Sequence, residues 1–345
     1  MALKNMDGFD HYGTKADTVT NISNALQAAG YTLRNFSSTT FALDDGRLPG
    51  SLAMKMTMGV NGGAVNPSFS ANLVSNDPKV VFGFAQKTSG GRTRVARIEN
   101  LVDVMWDTTT GKLSLVAGQA TAISQDVFIL DAWYYFEIVI DKTLNQIKLF
   151  ANDTLEATVG LPAGSYTTYV LTLGQSEAAT VATTQWIDDL YLIDGSNSPG
   201  GLNDRLSPVQ ITTRFPTSDV AAAWNVVGQG GAPAHYTIAG RPATADPTVF
   251  LQTNVAGTTD LFRSNAVLPD NNQVFAVALV SYAKKGDLDA RSIGLVMTVD
   301  TTTQEVDIPL TTSYAFQQAI FEQAPGAVAW DRNKVESTTF GIAAR

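Results

Sequence analysis

The chain has 345 residues, 44% of them hydrophobic and 16% charged, enough to bury real cores and to argue against disorder. It holds no Cys, two His and a formal net charge of −9, which excludes disulfide scaffolds, thiol nucleophiles, multi-His metal sites and general binding of free nucleic acid. No apolar run reaches the length of a membrane span, and at about 150 residues per domain the length suggests two domains.

The opening MALKNMDGFDHYG lacks an apolar stretch of signal-peptide length, so synthesis in the cytoplasm is expected. Residues 1–15 read as an N-terminal arm. His11, flanked by aromatics, reads as a hydrogen-bonded packing histidine. In ADTVTNISNALQAAG (16–30), Val19, Ile22, Leu26 and Ala29 recur at helical spacing. Asp17 is the expected cap and Gly30 the stop.

From there short apolar runs alternate with Gly, Asn, Asp and Ser clusters, the pattern of an all-β sandwich or barrel. Strands are predicted at 51–58, 69–74, 79–86, 93–99, 101–106, 112–117, 126–130, 133–140, 146–151, 154–159, 168–174 and 185–193. GVNGG (59–63) lacks a following helix and a GK[ST], so it is no phosphate loop. Lys87, Arg92, Arg94 and Arg97 surround Ser89-Gly90-Gly91. They read as the charged rim of a hairpin whose tip is the Gly-Gly pair.

WYYFEIVID (133–141) alternates an apolar even face with a mixed odd face. Glu137 and Asp141 share the odd face roughly 13 Å apart at the strand rise. That is too far for an acid/base or nucleophile pair, which needs about 5 to 9.5 Å. They read as solvated strand charges. Two hairpins should follow, 133–140 into 146–151 and that strand into 154–159. In QWIDDLYLID (185–194) the adjacent Asp188 and Asp189 should face opposite ways. One is then semi-buried and ties off loop amides, with cation or glycan ligation as the alternative.

DGSNSPGGLNDRLSP (194–208) shifts to Gly, Pro and small polar residues and reads as a domain boundary. It has no EF-hand register, although a calcium held by loop carbonyls stays open at this point. The expected division is a jelly-roll domain at 16–195, a linker at 196–208 and a smaller β-sandwich at 209–345. Further strands are predicted at 248–252, 259–263, 273–282, 291–299, 304–310, 313–323 and 334–343. QVFAVALVSY (273–282) is apolar enough for a buried central strand. GQGG (228–231) is again no phosphate loop, and His235 follows a Gly/Pro/Ala loop with little to recommend it. HExxH and GxSxG are both missing.

WYYFEIVIDKTLNQIKLFAND (133–153) with its return strand QWIDDLYLIDGS (185–196) resembles the laminin-G/concanavalin-like jelly roll. The order Gly8-Phe9-Asp10-His11-Tyr12, Ile187-Asp188-Asp189-Leu190-Tyr191, VQITTRFPTSDVAAAWN (209–225), Asp260-Leu261-Phe262, Ser313-Tyr314-Ala315 and WDRNKVESTTFGIAA (330–344) resembles a family of tailed-bacteriophage structural proteins. Asp204-Arg205-Leu206 stands where that family continues as a Phe-Leu-Gly run. The resemblance implies a non-enzymatic virion component, tail-, collar- or capsid-associated, that forms a homo-oligomer and contacts other virion proteins. It implies no catalytic, cofactor-binding or metal residue. The alternative is a glycan-binding module reading surface carbohydrate, with Trp106, Trp133 and Trp186 as stacking candidates, although each lies in a strand pattern that suits core. A concanavalin-type glucanase needs Glu-x-Asp-x-x-Glu on one strand, and no such run occurs.

Overall fold

The computed structural model describes residues 2–59, 66–90, 93–107, 109–174, 182–231, 233–265, 267–268 and 273–345. The chain is all-β with three short helices among these residues. It divides into two compact units: Met1–Asp10 with Thr14–Thr212, and His11–Gly13 with Thr213–Arg345.

The first unit contains β1 (Leu3–Asp7), α1 (Val19–Ala28), β2 (Thr32–Arg34), β3 (Phe41–Asp45), β4 (Leu52–Met58), β5 (Ser68–Val74), β6 (Lys79–Thr88), β7 (Thr93–Ile98) and β8 (Val102–Asp107). It continues with β9 (Lys112–Ala117), β10 (Ala120–Ile123), β11 (Trp133–Asp141), β12 (Gln146–Ala151), β13 (Thr154–Gly160), β14 (Thr168–Gly174) and β15 (Thr183–Ile193). One sheet runs β13-β12-β11-β6-β15-β4-β3 with β1 also pairing β15; the other runs β10-β9-β8-β7-β14-β5-β2. All pairings are antiparallel, and the two sheets stack as a jelly-roll sandwich.

Alternation explains the stacking. The even residues of β11, Phe136, Ile138 and Ile140, sit opposite Phe84, Phe82 and Val80 of β6, and all are buried in the core between the sheets. Trp106 of the second sheet meets this layer edge-on through Phe128 and Tyr134. Both predicted hairpins form, β11–β12 and β12–β13.

Several expectations are corrected. The helix caps on Thr18, whose hydroxyl accepts from the Asn21 amide, while Asp17 accepts from Thr14 one turn earlier. Residues 126–130 form no strand. Phe128 anchors an irregular loop there, its amide bonded to the Gly111 carbonyl at 2.7 Å. The run around Ser89-Gly90 is not a hairpin, because β6 pairs β11 and β15 whereas β7 pairs β8 and β14 in the opposite sheet. Gly91 and Arg92 lie outside the described residues.

The second unit contains β16 (Ser218–Ala222), β17 (Asn225–Val227), α2 (Tyr236–Ala239), β18 (Phe250–Gln252), β19 (Thr259–Arg263), β20 (Val277–Ala283), β21 (Ser292–Val299), β22 (Thr302–Pro309), β23 (Ala315–Phe321), α3 (Arg332–Ser337) and β24 (Thr339–Ala344). A five-stranded sheet, β16-β19-β24-β21-β22, packs Ile293, Leu295, Met297 and Val299 against Ala319, Phe321 and Trp330 beside the β20–β23 ribbon. Segment 273–282 is not a buried central strand. Among the described residues β20 pairs with β23 alone, and Val280 and Tyr282 are exposed.

Candidate functional site

The odd residues of β11 point away from the sandwich core. Trp133 lies opposite Lys87 of β6, Lys87 opposite Trp186 of β15, Trp186 opposite Lys55 of β4, and Lys55 opposite Ala42 of β3. These residues form one row across five neighbouring strands. At about 4.8 Å per strand the two indoles are roughly 10 Å apart. Trp133, Lys87, Trp186 and Lys55 are all half-buried.

The Lys87 ammonium lies 4.3 Å from the ring centre of Trp186 and 5.4 Å from that of Trp133, and Lys55 lies 5.6 Å from Trp186. Each such contact contributes about 0.5–1 kcal/mol at a partly exposed site. Asp44 of β3 completes the group: Lys55 pairs with it at 2.9 Å and the Trp186 Nε1–H donates to it at 3.1 Å. Burial pushes the Asp44 carboxyl up, but these two hydrogen bonds outweigh it and hold the group down at about 2. Asp44 therefore stays ionised and fixes the tilt of Trp186. Lys87 has no carboxylate within ion-pair reach among the described residues. Two flat apolar surfaces thus flank an ammonium with spare donors, a chemistry suited to a sugar ring bearing a negative group.

One step further along the strands the same face turns buried and polar. Gly83 of β6 sits opposite Tyr191, and a Cβ there would lie 2.1 Å from the Tyr191 ring. The glycine is the notch into which Tyr191 folds. Tyr191 donates its hydroxyl hydrogen to Glu137 Oε1, and Arg205 pairs with Glu137 Oε2 at 2.8 Å. Arg205 also pairs with Asp153 at 2.5 Å and lies 4.1 Å over the Phe150 ring. Segment 204–211 crosses this face as an irregular strap, with Ser207 at φ +64°, whose main chain is held by sheet side chains. Leu206 N–H donates to Tyr191 Oη at 3.1 Å, Ser207 N–H to Glu137 Oε1 at 3.0 Å and Ile211 N–H to Asp189 Oδ1 at 2.7 Å. Arg47 donates to the Val209 carbonyl and pairs with Asp189 at 3.0 Å.

Tyr135 and Tyr191 stack with ring centres 6.3 Å apart. Burial, together with neighbouring acidic groups, holds both phenols well above their ordinary range. Burial also raises the carboxyls of Asp188 and Asp189. The charge of Asp189 adds to the rise at Asp188, and the guanidinium of Arg47 opposes the rise at Asp189.

Glu137 and Asp141 do share one face, but they are not solvated: they are 1% and 7% exposed, because the strap covers Glu137 and the β11–β12 turn uses Asp141 to accept from the Leu144 amide. Asp188 and Asp189 are both buried rather than split between faces. A bulge between Asp188 and Tyr191, with Asp189 at φ +51°, breaks the alternation there. Their role as acceptors for loop amides stands, through Arg47 N–H and Ile211 N–H. The basic cluster splits: Lys87 joins the tryptophan row, while Arg94 and Arg97 both bind Asp103. Trp106 is core, and Trp133 and Trp186 are half-exposed. His11 packs against Tyr12 and Phe316. His235 has more structure than its loop suggested: its Nδ1 lies 2.6 Å from Asp260, which is fully buried and accepts from Ala223 and Trp224 amides. Among the described residues, no group of three or more acids and histidines is placed to hold a metal. In that same set no helix is long and apolar enough to cross a membrane.

No family model matches the chain, and no curated protein matches it by sequence. Solved structures do resemble it. A sialidase matches at 11% identity and TM-score 0.41 over 55% of this chain, but the match spans only 18% of the sialidase. An alginate lyase from Corynebacterium sp. matches at 9% identity and TM-score 0.39, over 52% of this chain and 99% of the lyase. A cellulose-induced protein matches at 15% identity and TM-score 0.38, over 55% and 96%. These likenesses concern the fold. The expectation of a protein without enzymatic activity is corrected to this extent: it finds no support among these structures, which include a sialidase and alginate lyases. The virion role implied by the phage resemblance has no counterpart among them.

Proposed function

We propose that the row Trp133–Lys87–Trp186–Lys55 binds carbohydrate, and specifically a glycan carrying carboxylate or sulfate groups. Lys87 carries this reading: it is an ammonium held between two half-exposed indoles without an acidic partner among the described residues. A neutral glycan would gain stacking alone. An acidic one also meets the ammonium, drawing it off the ring face and opening the indole to the sugar. Lys55 does not compete for that role, because Asp44 already holds it.

The test is an array of acidic and neutral glycans, followed by titration calorimetry on the best binder. Trp133→Ala and Trp186→Ala should each weaken binding by about tenfold or more. Lys87→Gln should remove the preference for acidic over neutral chains. Half-exposed positions tolerate these changes, and circular dichroism should confirm an intact fold. An array without acidic binders, or a double tryptophan variant that binds as well as the parent, refutes the reading. Chromatography of glycan incubated with the protein determines whether binding is accompanied by cleavage.

A further inference from the structure

A second polar recess lies at the other end of β11, nine residues from Trp133 along the chain and so roughly 30 Å away at the strand rise. It is an open recess of about 410 Å³ on the surface of the first unit. Lys142 and Asn145 reach it from the β11–β12 turn, Asn76 from the β5–β6 connection, and Ser165, Tyr166 and Thr167 from the β13–β14 connection. The volume is within the range of small-molecule sites, about 300–1,000 Å³.

The walls are pinned before any ligand arrives. Lys142 N–H donates to the Pro78 carbonyl at 2.7 Å, and Leu161 N–H donates to the Asn145 carbonyl at 3.0 Å. The Tyr166 hydroxyl donates to the Pro162 carbonyl at 3.0 Å and holds the β13–β14 loop closed on itself. The Lys142 ammonium has three hydrogens. One goes to the Tyr166 carbonyl at 3.1 Å, and the Tyr169 ring lies 5.7 Å away. No carboxylate comes within ion-pair reach of it among the described residues, in a chain with 32 acidic residues against 23 basic ones. Burial lowers its pKa, against the nearby charge of Asp77, so an anion delivered there would recover lost solvation. The recess is also lined by the exposed side chains of Asn76, Asn145, Ser165 and Thr167, two amides and two aliphatic hydroxyls that offer donors and acceptors in the mixture that sugar hydroxyls need, beside Leu161 and Pro162.

We infer that this recess binds one carboxylate-bearing sugar unit, with the carboxylate on Lys142 and the ring hydroxyls on Asn76, Asn145, Ser165 and Thr167. The site is independent of the tryptophan row, and either can stand without the other.

The experiment is a two-dimensional amide NMR titration of the full chain with glucuronate, glucose and inorganic sulfate in separate arms. Glucuronate should shift the amides of residues 161–167 and of Lys142 and Asn145. Lys142→Gln should weaken that binding by about tenfold or more. The Trp133→Ala, Trp186→Ala double variant should leave it unchanged. Equal response to glucose would overturn the inference by removing its charge requirement, and sulfate binding as tightly as glucuronate would overturn it by reducing the site to a simple anion pocket. Silence of the recess amides, or full binding by Lys142→Gln, would overturn it as well.

Discussion

Asp188 and Asp189 show how one extra residue in a strand redirects chemistry. The bulge turns both carboxylates inward, where the amides of Arg47 and Asp189 itself donate to Asp188 at 2.9 and 2.8 Å. Burial still wins, helped at Asp188 by the charge of Asp189 and at both by that of Asp10, and both acids are held more tightly protonated in the folded protein than in the unfolded chain. A carboxyl whose folded pKa is raised contributes stability in full below its ordinary value, about 4, and loses that contribution as pH climbs through the raised one. Asp188→Asn should therefore gain on the parent as pH rises from about 5 to about 9. Melting temperatures of both proteins across that range check this, and parallel curves would show that Asp188 does not titrate abnormally. None of this was legible in the dipeptide, since strict alternation puts the two side chains on opposite faces and a bulge is set by the partner strand.

At the scale of elements, the period of two in WYYFEIVID was enough to separate the face that packs on β6 and the opposite sheet from the one that carries Trp133, Tyr135 and Glu137. The adjacent hairpins were equally plain, because their pairing is local. The tryptophan row was not, because Lys55, Lys87, Trp133 and Trp186 become neighbours only when β4, β15, β6 and β11 pair across long sequence separations. The strap was hidden for a related reason: nothing in residues 204–211 shows their hold on the sheet until the side chains that grip their backbone are in place. Glu137 and Arg205 bolt it down, with Glu137 fully buried. Arg205→Ala leaves that carboxylate short of its cation and should cost about 2–4 kcal/mol, somewhat under the figure for a fully buried pair because Arg205 is partly exposed. Adding Glu137→Gln should return part of the loss, so that chemical denaturation gives a double variant less destabilised than the sum of the singles. Strict additivity would mean that the pair does not couple.

For the molecule as a whole, the acidic balance sharpens the meaning of its lysines. Several carboxylates of the first unit are engaged by cations: Asp44 by Lys55, Asp103 by Arg94 and Arg97, Glu137 and Asp153 by Arg205, Asp189 by Arg47 and Asp194 by Lys4. Lys87, set on two indoles, and Lys142, set in a polar recess, have no acidic partner among the described residues, so a negative ligand would gain at either. The stacked phenols behind Gly83 have a different consequence. Sealed from hydroxide and held in their neutral form, Tyr135 and Tyr191 should stay dark at phenolate wavelengths in mild alkali, while the exposed rings ionise at once. Their absorbance should then emerge slowly, at the pace of unfolding of the sandwich around them, so a spectrophotometer and a jump in pH would time the opening of this fold without any added label.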